Sequence, residues 1–217
     1  MAYTVLARKY RPQKLSDLVG QEVLVKVLSN SFKLNRIAHA YILTGSRGVG
    51  KTSTARIIAK GLNCEDPKSS DAPTIDPCGV CSSCVSITES RHLDIIEMDA
   101  ASRTGVSDVR EIIENIDYKT VSARFKVYVI DEVHMLSNSA FNALLKTLEE
   151  PPDHVKFIFA TTEVTKIPAT VISRCQRFDL SRIEASQIAL HLKKICEKEN
   201  ISFSEKGLAL ISNTAEG

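Results

Sequence analysis

Eight consecutive residues, Gly45-Ser46-Arg47-Gly48-Val49-Gly50-Lys51-Thr52, fit the spacing G-x-x-x-x-G-K-[ST] at every constrained position. Glycines let such a loop wrap with its N–H groups turned inward, as a polyanion requires. A helix opening at Lys51 adds the positive end of its dipole. Lys51 is expected to reach the β- and γ-phosphates of ATP, and the Thr52 hydroxyl to take a magnesium position, with Ser53 carrying the binding residues on into the helix. A glycine turn can match this spacing by chance. Here residues 41–44 read as a short buried strand and residues 51–62 as a helix, so strand, loop and helix stand in the required order.

A phosphate loop alone does not say where the γ-phosphoryl group goes. Lys126-Val127-Tyr128-Val129-Ile130 reads as a buried strand and ends in Asp131-Glu132-Val133-His134. That places two carboxylates at the carboxyl edge of the sheet, where open α/β sheets bind ligands. Asp131 is expected to hold magnesium through its water shell, and Glu132 to polarise an attacking water. A small-molecule kinase needs no water-activating carboxylate there, so the pair argues for hydrolysis. The plain alternative is two surface carboxylates starting a loop. Thr161-Thr162 closes the next strand; a hydroxyl at that edge can bond the γ-phosphate or the water, although such threonines are often ordinary strand ends.

Cys64, Cys78, Cys81 and Cys84 form C-x13-C-x2-C-x2-C. Short C-x2-C spacings let two thiolates share one tetrahedral ion, and four thiolates close its shell, so structural zinc is the natural reading. A redox dithiol and an iron–sulfur cluster compete with it, but no thioredoxin-like pattern surrounds the cysteines. Cys175 and Cys196 lie in helical patterns and read as ordinary thiols.

These groups need a scaffold, and 217 residues can supply one good core with a small appended domain. The net charge of +2 does not announce a nucleic-acid binder. No run approaches the ~20 apolar residues of a membrane span, and residues 1–11 lack the pattern of a signal peptide. The expectation is a cytoplasmic protein without membrane contact, in which clustered thiols favour metal over disulfides.

Strands are expected at 41–44, 93–98, 125–130, 156–161 and 176–180, alternating with helices, which implies a parallel α/β sheet covered on both faces. The helix at 21–32 would turn Val23, Leu24, Val27, Leu28 and Phe32 to one face. Residues 63–90, rich in Pro, Ser, Asp and Cys, read as an inserted module held by something other than a core. After Leu180 the strands stop. Ile188, Leu192 and Ile195 point inward from one helix, and Ser204 caps a second bearing Leu208 and Ile211. The expected division is therefore 1–180 with the insertion at about 63–90, then 181–217 as the start of a helical lid domain that the sequence leaves unfinished.

With the phosphate loop, the Asp131-Glu132 pair and the cysteine module in place, the chain resembles the gamma/tau subunits of bacterial DNA polymerase III. These are the AAA+ ATPases of the sliding-clamp loader. The likeness runs through Leu6-Ala7-Arg8-Lys9-Tyr10-Arg11-Pro12, Val19-Gly20-Gln21, Asp99-Ala100-Ala101-Ser102-Arg103, Asp131-Glu132-Val133-His134-Met135-Leu136, the run 144–152 and Ser173-Arg174-Cys175. The zinc insertion separates it from related loaders and branch-migration motors.

The resemblance implies a P-loop NTPase (AAA+) fold and adenine contacts from Ala7, Arg11 and Val19. It makes Thr162 a first sensor and Arg174 a finger reaching the γ-phosphate of a neighbouring subunit. Without the resemblance Arg174 would read as a surface ion-pair former. Implied partners are other gamma/tau copies, delta and delta-prime subunits, the beta sliding clamp and primed DNA. The family's second sensor arginine would lie just past Gly217, so the sequence is expected to be a fragment. Phosphate contacts to DNA could come from Ser102-Arg103-Thr104-Gly105 and Ser137-Asn138-Ser139, for which helix capping is the equal alternative. A structural subunit such as delta-prime, with a degraded phosphate loop, is disfavoured by Lys51-Thr52. No polymerase carboxylate constellation is recognisable.

Overall fold

A computed structural model describes residues 5–66, 72–102, 106–215 and 217. The elements run α1 (Leu6–Lys9), α2 (Glu22–Lys33), β1 (Ala40–Thr44), α3 (Lys51–Asn63), α4 (Ser82–Thr88), β2 (Ile95–Asp99) and α5 (Val106–Ile116). They continue with β3 (Lys126–Asp131), α6 (Asn138–Glu149), β4 (Val155–Thr161), α7 (Ala169–Ile172), β5 (Gln176–Asp179), α8 (Ala185–Glu199) and α9 (Glu205–Thr214). One five-stranded sheet has the order β2-β3-β4-β1-β5, and every pairing in it is parallel.

The three inner strands are buried almost end to end, because helices cover both faces and neither face can be polar. The period of two sends alternate side chains to two cores. Ile42, Tyr128, Ile130, Phe157 and Phe159 meet α5 and α6 on one face. Tyr41, Leu43, Val127, Val129 and Ile158 meet α2 and α3 on the other. Tyr128, Phe157 and Phe159 stack in a row, with centroids 5.5 and 5.7 Å apart.

Several expected faces are narrower than the pattern suggested. On α2 only Leu24, Leu28 and Phe32 are buried, while Val23 is 77% exposed and Val27 lies at the margin. The i, i+4 row of Leu24, Leu28 and Phe32 joins the core on the sheet, and the neighbouring row of Val23 and Val27 faces solvent. Strand β2 starts at Ile95, because His92 accepts the Ile95 N–H in a turn that leaves Leu93 exposed. On α9 Leu208 is buried but Ile211 is 56% exposed.

The cysteine segment is also less separate than its composition implied. Helix α4 packs on α3, and Ile87 joins the α2–α3 core. The Thr74 N–H donates to Gly61 O at 2.8 Å. A Cβ at Gly61 would stand 2.5 Å from Thr74 O, so only glycine lets the segment lie this close to α3. Among the described residues, no helix is long and apolar enough to cross a membrane.

Candidate nucleotide site and cysteine cluster

The order of the strands sets the site. β1 ends in the phosphate loop, β3 ends in Asp131-Glu132, and β4, ending in Thr161, lies between them. Gly48 and Gly50 have φ of 86° and 104°, left-handed values that a side chain would strain. A Cβ on either would meet nothing within 4 Å, so the loop leaves open space beside the start of α3. Lys51 is 6% exposed, and its Nζ donates to Gly45 O and Ser46 O, both at 2.9 Å. Burial lowers its pKa, and the charges of Glu132 and Asp131 oppose that shift. The Thr52 hydroxyl donates to Asp131 Oδ2 at 2.6 Å. An open glycine loop, a buried cation and a hydroxyl–carboxylate pair together fit a triphosphate with magnesium.

Asp131 Oδ1 accepts the Glu132 N–H at 2.9 Å. Glu132 itself sits in the left-handed region, with φ 46° and ψ 44°. A non-glycine residue there costs about 1–2 kcal/mol, and such strain gathers at functional sites. Its Oε2 accepts from Thr162 Oγ1 at 3.0 Å and from the Thr162 N–H at 3.3 Å. Thr162 thus lies beside Glu132, as expected of a residue at that edge. The cleft also takes in Arg47 and Asp99. Asp99 ends β2 in register with Asp131, a placement that sequence spacing alone could not reveal.

A second cleft adjoins the first and shares Arg11, Gly48, Gly50 and Ser53 with it. Ala7 and Val19 line one wall, and Ile188, Leu192 and Ile195 of α8 line the other. The inward face read for α8 therefore points into this cleft, where those side chains stay partly exposed. Lys9 Nζ and Tyr10 Oη both donate to Glu199 Oε1 at 2.5 Å, tying the amino-terminal segment to α8.

Arg174 lines neither cleft. Its guanidinium donates to Glu149 Oε1 at 2.5 Å and to Thr170 O at 2.7 Å. Ser137 caps α6, accepting the Ala140 N–H at 3.2 Å, and Ser102 Oγ donates to Asp99 O at 3.0 Å. Local bonding thus accounts for both serines. Arg103, Thr104 and Gly105 lie outside the described residues, as does the side chain of Arg8.

The Sγ atoms of Cys64, Cys78, Cys81 and Cys84 all lie within 4.8 Å of one another. A tetrahedral ion with Zn–S of about 2.3 Å sets its sulfurs about 3.8 Å apart, so the cluster fits one. The N–H groups of Cys78, Cys81 and Cys84 donate to the sulfurs of Cys64, Cys78 and Cys81 at 3.3, 3.3 and 3.4 Å. Burial raises the Cys78 pKa, but the N–H groups of Val80 and Cys81 and the thiols of Cys64 and Cys81 bring it down to about 7. Burial pushes the Cys84 thiol well up. All six cysteines are free thiols, so none of these four pairs with another as a disulfide. Cys175 is partly buried, with its pKa pushed up to about 12 by that burial, as for an inert thiol.

The family described as "DNA polymerase III, delta subunit" matches residues 20–184. Over all 217 residues the chain is 52% identical to DNA polymerase III subunit tau of Escherichia coli (strain K12), covering 33% of that protein. It is 52% identical to DNA polymerase III subunit tau/gamma of Haemophilus influenzae, covering 31%. Against DNA polymerase III subunit tau of Bacillus subtilis (strain 168) the figures are 48% and 38%. The chain thus spans about a third of the length of these curated relatives. Among solved structures, the Thermotoga maritima RuvB Holliday junction branch migration motor superposes with a TM-score of 0.64 at 18% identity. That match covers 94% of this chain and 59% of that one. It is a likeness of fold alone, a parallel α/β sheet with its phosphate loop after the first strand. The match over residues 20–184 shows that the chain belongs to the DNA polymerase III subunit family of that description, within which it is similar along its whole length to tau and gamma subunits.

Proposed function

We propose that this chain is the ATP-binding and ATP-hydrolysing motor region of a bacterial DNA polymerase III clamp loader, which uses ATP to load the beta sliding clamp onto primed DNA. The observation that carries the reading is the meeting of Lys51, Thr52, Asp131, Glu132 and Thr162 at one sheet edge. In this reading residues 45–53 wrap the phosphates and Lys51 Nζ leaves Gly45 O and Ser46 O for the β- and γ-phosphates. Thr52 and Asp131 hold magnesium, which supplies charge neutralisation on the phosphates when bound. Glu132 takes a proton from the attacking water, and Thr162 orients Glu132 and senses the γ-phosphate. Ala7, Arg11 and Val19 flank the adenine.

Residues 1–180 form the ATPase domain, and 181–217 begin a lid whose α8 closes over the nucleotide. Cys64, Cys78, Cys81 and Cys84 hold a structural zinc that stabilises the insertion. Arg174 acts in trans on the γ-phosphate of a neighbouring copy, a reading supported by its lining neither of the two clefts. The chain would work in the cytoplasm with further gamma/tau copies, delta and delta-prime subunits, the beta clamp and primed DNA.

Two variants test the core of this reading. Lys51→Ala should abolish ATP binding, because the cation facing the phosphates is gone. Glu132→Gln should bind ATP and fail to cleave it, since an amide cannot serve as a base. Normal turnover by Glu132→Gln would remove Glu132 from the role of base.

A further inference from the structure

One buried ring lies beside the carboxylate pair and belongs to neither the phosphate loop nor the strands. The left-handed backbone of Glu132 turns the chain into a single 3-10 turn, Val133–Met135, and that turn directs His134 back toward the end of β4. Its side chain is only 6% exposed. Nδ1 lies 3.0 Å from Thr161 Oγ1 and 3.4 Å from Glu132 Oε2. Nε2, on the other side of the ring, lies 3.4 Å from Glu163 Oε1.

Each neighbour of the ring is itself fixed. Thr161 Oγ1 accepts the Glu163 N–H at 3.0 Å, and Glu163 Oε2 pairs with Lys166 Nζ at 2.8 Å. Nδ1 is hydrogen-bonded to Thr161 and Nε2 lies within ion-pair range of Glu163, so the ring is oriented, not merely packed. Among the described residues, the hydrogen bonds to the Glu132 carboxylate converge on Oε2, from the hydroxyl and N–H of Thr162. The imidazole approaches that same oxygen.

We propose that His134 is a positioning residue for Glu132: its Nδ1–H, oriented by Thr161 and Glu163, helps to anchor Oε2 and leaves Oε1 to receive the proton of the attacking water. This rests on the reading of Glu132 as base. The proposal requires a proton at Nδ1, since a bare nitrogen there would repel Glu132, and by the same argument Nε2 carries one toward Glu163, so both ring nitrogens act as donors.

The test compares three substitutions in the full-length protein within its native assembly. His134→Ala and His134→Gln should lower kcat for ATP hydrolysis about 10- to 100-fold, the scale of a misplaced catalytic group, with ATP affinity unchanged. His134→Asn should restore most of the rate, because its amide nitrogen overlies Nδ1, whereas that of glutamine overlies Nε2. In the Glu132→Gln background His134→Ala should cause no further loss, because groups acting as a unit are not additive. Rescue by glutamine rather than asparagine would overturn the proposal. So would wild-type turnover by His134→Ala while Glu132→Gln is dead. If Glu132→Gln turned over normally, the reading of Glu132 as base would fail first. Ring 15N chemical shifts of the unsubstituted protein provide a check independent of variant folding: a proton on Nδ1 supports the proposal, and its absence there overturns it.

Discussion

Asp94 offers a test of how the site is held, because its replacement can be worked through bond by bond. The residue is fully buried just before β2. Its carboxylate accepts the N–H groups of Val121, Ser122 and Ala123 at 2.8, 2.9 and 2.8 Å. Its backbone oxygen accepts the Val127 N–H at 2.8 Å. One side chain thus clamps the segment that leads into β3, the strand carrying Asp131 and Glu132. Asp94→Ala removes the acceptor for three N–H groups. Val121 and Ser122 are exposed residues, so water can replace part of the loss, and about 1 kcal/mol per bond gives about 3 kcal/mol in all. For a domain of this size that lowers the thermal midpoint by about 6–12 °C. Asp94→Asn keeps an acceptor oxygen but turns an amide toward one N–H, so roughly half the loss is expected. Burial raises the Asp94 pKa, but the three N–H bonds and His92 more than offset it and hold the carboxyl below its ordinary 3.8. A depressed folded-state pKa stabilises above the unfolded value and is lost as pH falls through the folded one. The midpoint gap between wild type and Asp94→Asn, read by calorimetry, should therefore be full at pH 7 and shrink below pH 3.8. A midpoint for Asp94→Ala within about 2 °C of wild type, well inside the expected shift, would refute the clamp.

Two further outcomes concern the metal and the assembly. One zinc per chain should copurify, measured by elemental analysis, and Cys81→Ser should lose it and open residues 63–90 to protease while ATP binding persists; iron in the native protein would refute the zinc assignment. Arg174→Ala should leave nucleotide binding by its own chain nearly intact but cut hydrolysis in the assembly by ~10³–10⁵-fold. When mixed with Lys51→Ala subunits, only interfaces joining an intact phosphate loop to an intact arginine should turn over ATP, and damage confined to the variant's own site would rule out action in trans.

Much of the scaffold was legible because it is written locally. The inner strands appear as apolar runs because both their faces are covered, and the phosphate loop and the C-x2-C pairs carry their geometry within a few residues. What escaped depends on contacts across the chain. Helical periodicity put Val23 and Val27 beside Leu24 and Leu28, yet it cannot say how wide a stripe the sheet covers. It marked an apolar face on α8 without showing that this face lines a cleft with Ala7 and Val19, more than 160 residues earlier in sequence. Asp94 carried no signal, and Asp99 and His134, although they stand in runs that carry the family likeness, carried no role, since a lone acid or imidazole acquires one only from the strand order that surrounds it. For the cysteine segment, composition showed the lack of a core of its own but not the docking of α4 on α3. Its Ile87 is buried in the α2–α3 core and its Ile75 packs against that core.

The groups at the sheet edge share one further property, visible only when their partners are set side by side. Lys51 bonds to Gly45 O and Ser46 O, Thr52 to Asp131, and Glu132 to Thr162. Arg174, outside the clefts, bonds to Glu149. Each of these side chains is therefore already satisfied by a neighbour, which removes the penalty of leaving a buried donor unpaired. Binding a triphosphate at this edge then becomes an exchange of partners, and its net free energy is the difference between the bonds gained and those given up. The same exchange gives the site a means of changing state. A phosphate that draws the Thr162 hydroxyl away from Glu132 also removes a restraint on the carboxylate, and a neighbouring copy that draws Arg174 from Glu149 must supply enough interaction to replace that ion pair. The pair is half-exposed, at 32% and 51% for its side chains, and exposed pairs contribute at most about 1 kcal/mol. The arginine is thus held ready at little cost to its release.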